Sequence, residues 1–157
     1  MKFKCPLIVV EDMDRSRQFY EEVLGQNLIA DLMGKIFYTG EFALQTRESW
    51  VKIKGLGVRP PVFRNNAVEL YFETTDFDGF LERLQGWGHI ERLHEVIVEL
   101  GQRVIRFYDP DGHLIEVGEN MQMVVKRMLD RGLSIVEIAE ATGYPVDFVL
   151  DFLRETK

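Results

Sequence analysis

The chain has 157 residues, 46% of them apolar and 11% aromatic, and a net charge of −7. That supplies a packed core for one domain with a small appendage and excludes a disordered composition. The acidic balance argues against a surface built to neutralise phosphates, so nucleic acid is not an expected partner. The single cysteine, Cys5, allows no internal disulfide. There is no secretory-type leader and no apolar stretch of about 18 residues, so the expected setting is cytoplasmic, without a membrane partner.

The apolar, β-branched run at residues 5–10 predicts a buried strand, with Pro6 near its start where a missing N–H is tolerated. Asp12 or Asp14 then caps a helix whose stripe is Ser16, Phe19, Tyr20, Val23 and Leu24, ended by Gly25. Residues 28–32 and 35–39 read as strands around a Met33-Gly34 turn. Gly40-Glu41 is a second turn and 42–47 a further strand. From Lys54 to Asn66, Gly, Pro and Asn mark a loop between two halves. Residues 68–74 alternate as a half-buried strand does, and Asp76 caps a helix with Phe77, Phe80, Leu81 and Leu84 on one face. Residues 90–93 and 95–100 are weaker strand candidates and 103–108 a strong one. Asp109-Pro110-Asp111-Gly112 is a turn by composition, returning into a strand at 113–117.

Each half therefore reads strand, helix, three strands. Cys5 precedes Asp12 by seven residues, as Glu69 precedes Asp76. Phe37-Tyr38, a Gly-containing turn and Phe42-Ala43-Leu44-Gln45 parallel Phe107-Tyr108, a Gly-containing turn and His113-Leu114-Ile115-Glu116. A duplicated module fits this repeat better than a solenoid of shorter period.

The segment Val10-Glu11-Asp12-Met13-Asp14-Arg15-Ser16-Arg17-Gln18-Phe19-Tyr20, continuing to Leu24-Gly25, resembles the opening of vicinal oxygen chelate proteins, the glyoxalase, bleomycin-resistance and extradiol-dioxygenase group. Phe107-Tyr108-Asp109-Pro110-Asp111-Gly112-His113-Leu114-Ile115-Glu116 is similar to their closing hairpin. The resemblance implies an α+β fold: two βαβββ modules, residues 1–54 and 66–119, forming an open, eight-stranded, barrel-like sheet around a cavity, with 120–157 a helical extension. It also implies four inner positions that hold a divalent ion in the metal-dependent members. By the internal landmarks these are Cys5, Gln45, Glu69 and Glu116.

In such enzymes the ion acts as a Lewis acid on two neighbouring substrate oxygens, and a carboxylate ligand can also move a proton. That makes Glu116 the candidate catalytic residue for lyase or isomerase chemistry. Two carboxylates and an amide suit Mg²⁺ or Mn²⁺, whereas a thiolate shifts preference toward Zn²⁺. Mg, Mn, Ni, Zn and no metal at all therefore remain open. Cys5 in an apolar strand also reads as simple packing. Glu69 and Glu116 could instead face solvent or pair with Arg103 or Arg106. Tyr71 and Glu73 share the strand face of Glu69 and are candidate substrate contacts, with Trp50, His94 and Arg103 beside them. Leu7 and Ala43 accompany Cys5 and Gln45 by the same alternation. The expected partners are a small molecule and a second copy of the chain. The alternative to an enzyme is a non-catalytic metabolite- or drug-binding protein, and after it a ligand-sensing regulator.

The extension predicts three helices. Met121, Val124, Val125, Met128 and Leu129 fall at helical spacing before Gly132. Ser134-Ile135-Val136-Glu137 forms a capping box. Pro145 suits the first turn of the last helix. The arrangement resembles a small DNA-reading helix-turn-helix, but Asp147 and Asp151 on the last helix have the wrong charge for a groove. A packing role, covering the barrel or building an oligomer contact, is favoured.

Overall fold

A computed structural model describes residues 1–32, 35–38, 42–52, 57 and 59–154. Eight strands form two four-stranded sheets. In the first module β1 (Leu7–Val10), β2 (Leu28–Leu32), β3 (Lys35–Tyr38) and β4 (Ala43–Thr46) lie in the order β1-β4-β3-β2. In the second, β5 (Glu69–Thr74), β6 (Ile97–Glu99), β7 (Gln102–Tyr108) and β8 (Leu114–Glu119) repeat it as β5-β8-β7-β6. The first and last strands of each module pair in parallel and the rest are antiparallel. This is the expected α+β duplication, open rather than a closed barrel. The expected turns at Met33-Gly34 and Gly40-Glu41 lie outside the described residues, as does part of the loop between the two halves.

Helix α1 (Met13–Gln18) is capped by Asp12, whose side chain accepts from the Arg15 backbone N–H. It runs on into a π-helical turn, Phe19–Val23, and Gly25 follows at φ +64°. A short α2 (Arg47–Val51) follows β4 directly, capped by Thr46. No sequence signal marked it. Helix α3 (Phe77–Gly86) is capped by Asp76. Residues 90–93, a weak strand candidate, form only an isolated bridge from Arg92 to Phe107.

Strand alternation sends Ile8, Val10, Leu44, Ile105, Phe107, Ile115 and Val117 into one shared core with Phe19, Tyr20, Phe77 and Phe80. Edge-on aromatic pairs such as Phe19–Phe107, at 6.3 Å between centroids, join the modules across it. The modules are also joined by polar bonds. Tyr20 Oη donates to Asp109 Oδ2 at 3.0 Å, and Arg15 pairs with Asp111 at 2.7 Å. The Asp109–Gly112 turn is built by Asp109 Oδ1, which accepts from the backbone N–H groups of Asp111 and His113, with Gly112 at φ +88°.

The extension is three helices with a core of its own. Helices α4 (Met121–Asp130), α5 (Ile135–Thr142) and α6 (Val146–Arg154) bury Val125, Ile138 and Val149 among Met128, Leu129, Tyr144 and Phe152. The Ser134–Glu137 capping box forms as expected, and Gly143 ends α5 at φ +71°.

Candidate functional site

The face of the second sheet turned away from the shared core carries the candidate site. On central strand β7, Gln102 and Arg106 point to this face. Arg106 stands directly across from Glu116 on β8, and Tyr71 on β5 stands across Glu116 from the other side. The Arg106 guanidinium is held by three carboxylates. Its Nε donates to Glu69 at 3.0 Å, its two terminal nitrogens fork onto Glu99 at 3.2 and 2.9 Å, and Nη2 also pairs with Glu116. Beside this cluster, Gln102 Nε2 donates to Tyr71 Oη at 2.7 Å and to the Glu119 carbonyl at 2.6 Å. Tyr71 Oη in turn donates to Glu73 Oε1 at 2.9 Å.

A cavity of about 460 Å³ lies over this floor. Tyr71, Gln102, Arg106 and Glu116 line it from the sheet, Leu100 from the β6–β7 turn, and Thr142, Gly143 and Tyr144 from the α5–α6 turn. The extension thus roofs the inner face of the second module. Burial pushes the Glu116 carboxyl above its ordinary range, and the adjacent Glu69 adds to this although Arg106 opposes it. Burial likewise raises the Tyr71 phenol, helped by Glu73.

Glu69, Glu116 and Tyr71 come together as the sequence suggested. Glu73 lies just outside, accepting from Tyr71 Oη, from Asn120 Nδ2 at 3.1 Å and from the Met121 backbone N–H at 3.2 Å, so it also starts α4. Arg103 points to the opposite face, because odd positions of β7 face the core side. There it bonds Glu119 at 3.0 Å and Asp78 at 2.8 Å and stacks over the Phe77 ring, a structural role in place of the expected substrate contact. Trp50 sits half-buried on α2, and His94 turns its Nδ1 to the Glu95 carbonyl at 2.7 Å. Neither lines the cavity.

Cys5 lies ahead of β1, lining an apolar depression with Ile29, Ala30, Leu32, Phe37 and Phe42. By strand register alone it is not the counterpart of Glu69. Leu7 pairs with Ala43 as Glu69 pairs with Leu114, and Val9 pairs with Gln45 as Tyr71 pairs with Glu116. Relative to Gln45, Leu7 therefore occupies the equivalent position. Counted from the helix caps Cys5 keeps that place, since β1 and β5 each end two residues before the cap, so the two landmarks differ by two residues. Gln45 is buried in the first sheet, its Nε2 donating to Ser49 Oγ at 2.9 Å. Its Oε1 has no partner among the described residues.

A divalent ion does not fit these donors as they are arranged. The two carboxylates at metal-type positions are both committed to a guanidinium, and for the third position the first module offers only Leu7 or Cys5, which lies in an apolar depression. Among the described residues no three His, Cys, Asp or Glu side chains are disposed around one ion site. Sequence reading named Arg106 only as a salt-bridge partner and missed Glu99, Gln102 and Tyr144. Period-two counting along β7 would have found Gln102 and Arg106. Nothing local marks Tyr144.

Paired βαβββ modules with an inner-face cavity define a vicinal oxygen chelate scaffold. The Glyoxalase-like domain model matches residues 3–122, and the chain belongs to that family. A solved protein of unknown function from Agrobacterium tumefaciens str. C58 is 36% identical, with a TM-score of 0.65 over 76% of this chain and 94% of that one. A glyoxalase/bleomycin resistance protein/dioxygenase from Nocardioides shares the fold at 22% identity and a TM-score of 0.59, over 76% and 83% of the two chains. So does the fosfomycin resistance protein FosX from Mesorhizobium loti, at 19% identity and 0.52, over 81% and 97%. A search among curated proteins finds no match.

Proposed function

We propose that the chain binds a small molecule in the cavity between the inner face of the second sheet and the α5–α6 turn. The observation that carries this reading is the cavity itself: a polar floor of Tyr71, Gln102, Arg106 and Glu116 under a roof formed by Thr142, Gly143 and Tyr144. A concave site with a few convergent polar groups is the usual form of a small-molecule pocket. The Nocardioides and Mesorhizobium loti proteins are named for bleomycin and fosfomycin resistance, which makes those two drugs sensible first probes. The test is a heteronuclear NMR titration of the full chain with bleomycin, fosfomycin and a panel of small amines, phenols and carboxylates. Shifts should gather at Tyr71, Gln102 and Tyr144. Binding that maps elsewhere, or no binding at millimolar concentration, would overturn the reading.

A second reading, lyase or isomerase chemistry, draws support from the Glu116 carboxyl in the cavity floor, which burial raises above its ordinary range and so makes a better proton carrier. Turnover of a bound compound that disappears in Glu116→Gln would favour it. The same proposal takes the working unit to be a cytoplasmic homodimer. Leu28, Ile29 and Leu32 lie exposed on β2, an outer strand of its sheet, and offer a surface for a second copy. Sedimentation velocity tests it. Among the described residues no helix is long and apolar enough to cross a membrane.

A further inference from the structure

We propose that the Arg106 guanidinium takes the place of the family's divalent ion, so that this chain carries its cation covalently. Glu69 and Glu116 are the two positions of metal-ligand type that keep carboxylates, and both turn to the same guanidinium. Glu99, on the short strand β6, completes the ring from the other side. Arg106 sits mid-strand on β7, with β6 and β8 on either side, and its side chain is about three-quarters covered. It is therefore built into the floor, not draped over it. A divalent ion brought to Glu69 and Glu116 would meet a fixed positive charge, at a distance where like charges repel strongly in a partly dry site.

Three carboxylates surround one guanidinium. As that group holds them, the three do not converge on one ion site; removing it frees their side chains to turn their oxygens, the donor type that Mg²⁺ and Mn²⁺ prefer, onto the space it vacates. Arg106 thus also fixes where Glu116 points and holds it beside Glu69. The inference goes beyond small-molecule binding, which can succeed or fail in the same cavity whatever the cation is.

The experiment is Mn²⁺ titration of the full chain, followed by electron paramagnetic resonance and calorimetry, for wild type, Arg106→Ala and Arg106→Ala/Glu116→Ala. Wild type should show no saturable site, and Arg106→Ala should gain one at least tenfold tighter, on the order of 1.4 kcal/mol. The double variant should lose it again. A stoichiometric Mn²⁺ site in wild type that Arg106→Ala leaves unchanged would overturn the proposal. So would a folded Arg106→Ala that gains no site. Arg106→Met keeps the aliphatic stem and replaces the alanine variant if that variant does not fold. In wild type, paramagnetic broadening of the Glu69 and Glu116 side-chain signals by Mn²⁺ would also overturn it, with no variant needed.

Discussion

Arg127 on α4 grips Glu119 at the end of β8 with both terminal nitrogens, at 2.8 and 2.9 Å, and its Nη2 also reaches the Gly101 carbonyl at 3.1 Å. Glu119 accepts from Arg103 as well, at its backbone N–H and at Nε. One nearly covered carboxylate therefore joins the second sheet, the Arg103–Asp78 pair and the extension. Burial alone would raise its pKa, but Arg127 and Arg103 outweigh that and bring it down to about 2. A depressed carboxyl stabilises the fold above its unfolded pKa of 4.5 and loses that contribution as pH falls toward about 2. Roughly 3 kcal/mol should be lost between pH 5 and pH 2. Urea titrations of wild type and Glu119→Gln should differ at pH 7 and converge near pH 2. Parallel curves at both pH values would contradict this.

His113 carries the opposite sign. Its Nδ1 lies 2.9 Å from Asp109 Oδ2, the oxygen that also receives the Tyr20 hydroxyl, and the ring is bonded to the Val9 backbone. Burial pulls the imidazole pKa down, yet Asp109 and Asp111 outweigh it and leave it above the ordinary 6.5. A raised histidine stabilises fully below its unfolded value and loses that contribution as pH rises through the folded one. Melting temperature should therefore decline between pH 6 and 8 in wild type and stay flatter in His113→Gln. The ring-proton shift of His113 should titrate above 6.5. A midpoint below that value would rule out the assignment.

Gly118 leaves room for Gln102. A Cβ at Gly118 would lie 2.5 Å from Gln102 Nε2 and 2.8 Å from its Cδ. Gln102 could not then hold both Tyr71 Oη and the Glu119 carbonyl. Gly118→Ala should cost about 1–2 kcal/mol in stability through the lost buried hydrogen bonds. It should also weaken any ligand of the inner-face cavity by about tenfold while leaving the fold intact by circular dichroism. Unchanged affinity in a folded variant would remove Gln102 from the binding floor.

The architecture was legible because most elements, α2 excepted, carried their own signal: Asp12, Asp76 and Ser134 as caps, and alternation along β5 and β7. The duplicated order pointed to the inner face of the second sheet, where Glu69, Tyr71 and Glu116 lie together. Two things were not local. Counted from its helix cap Cys5 matches Glu69, but strand register puts Leu7 in that place, and register cannot be read from spacing. The roof of the cavity comes from residues about seventy positions beyond Tyr71, brought there by the packing of α4 on the second sheet, and no pattern within α5 or α6 announces it.

That packing has a testable seat at Gly101. Its φ of +81° strains any L side chain, and a Cβ there would lie 2.1 Å from Met128 Cε on α4. The same turn presents its carbonyl to Arg127 and its neighbour Leu100 to the cavity, with Leu100 also lying against Gly143 of the roof. Met128 is flexible and its end can yield, so the backbone strain is the larger and surer part of the effect. Strain in this turn also disturbs the Arg127 contact to its carbonyl, and with it the seat of α4. Gly101→Ala should lower stability by about 1–2 kcal/mol. Amide exchange should rise in α5 and α6 more than in β7 and β8, because the extension has its own core and can loosen as a unit. A truncated Met128→Ala background should relieve part of the loss by making room for the new methyl. If Gly101→Ala instead loosened the second sheet and left α5 protected, the extension would be held by contacts other than this turn.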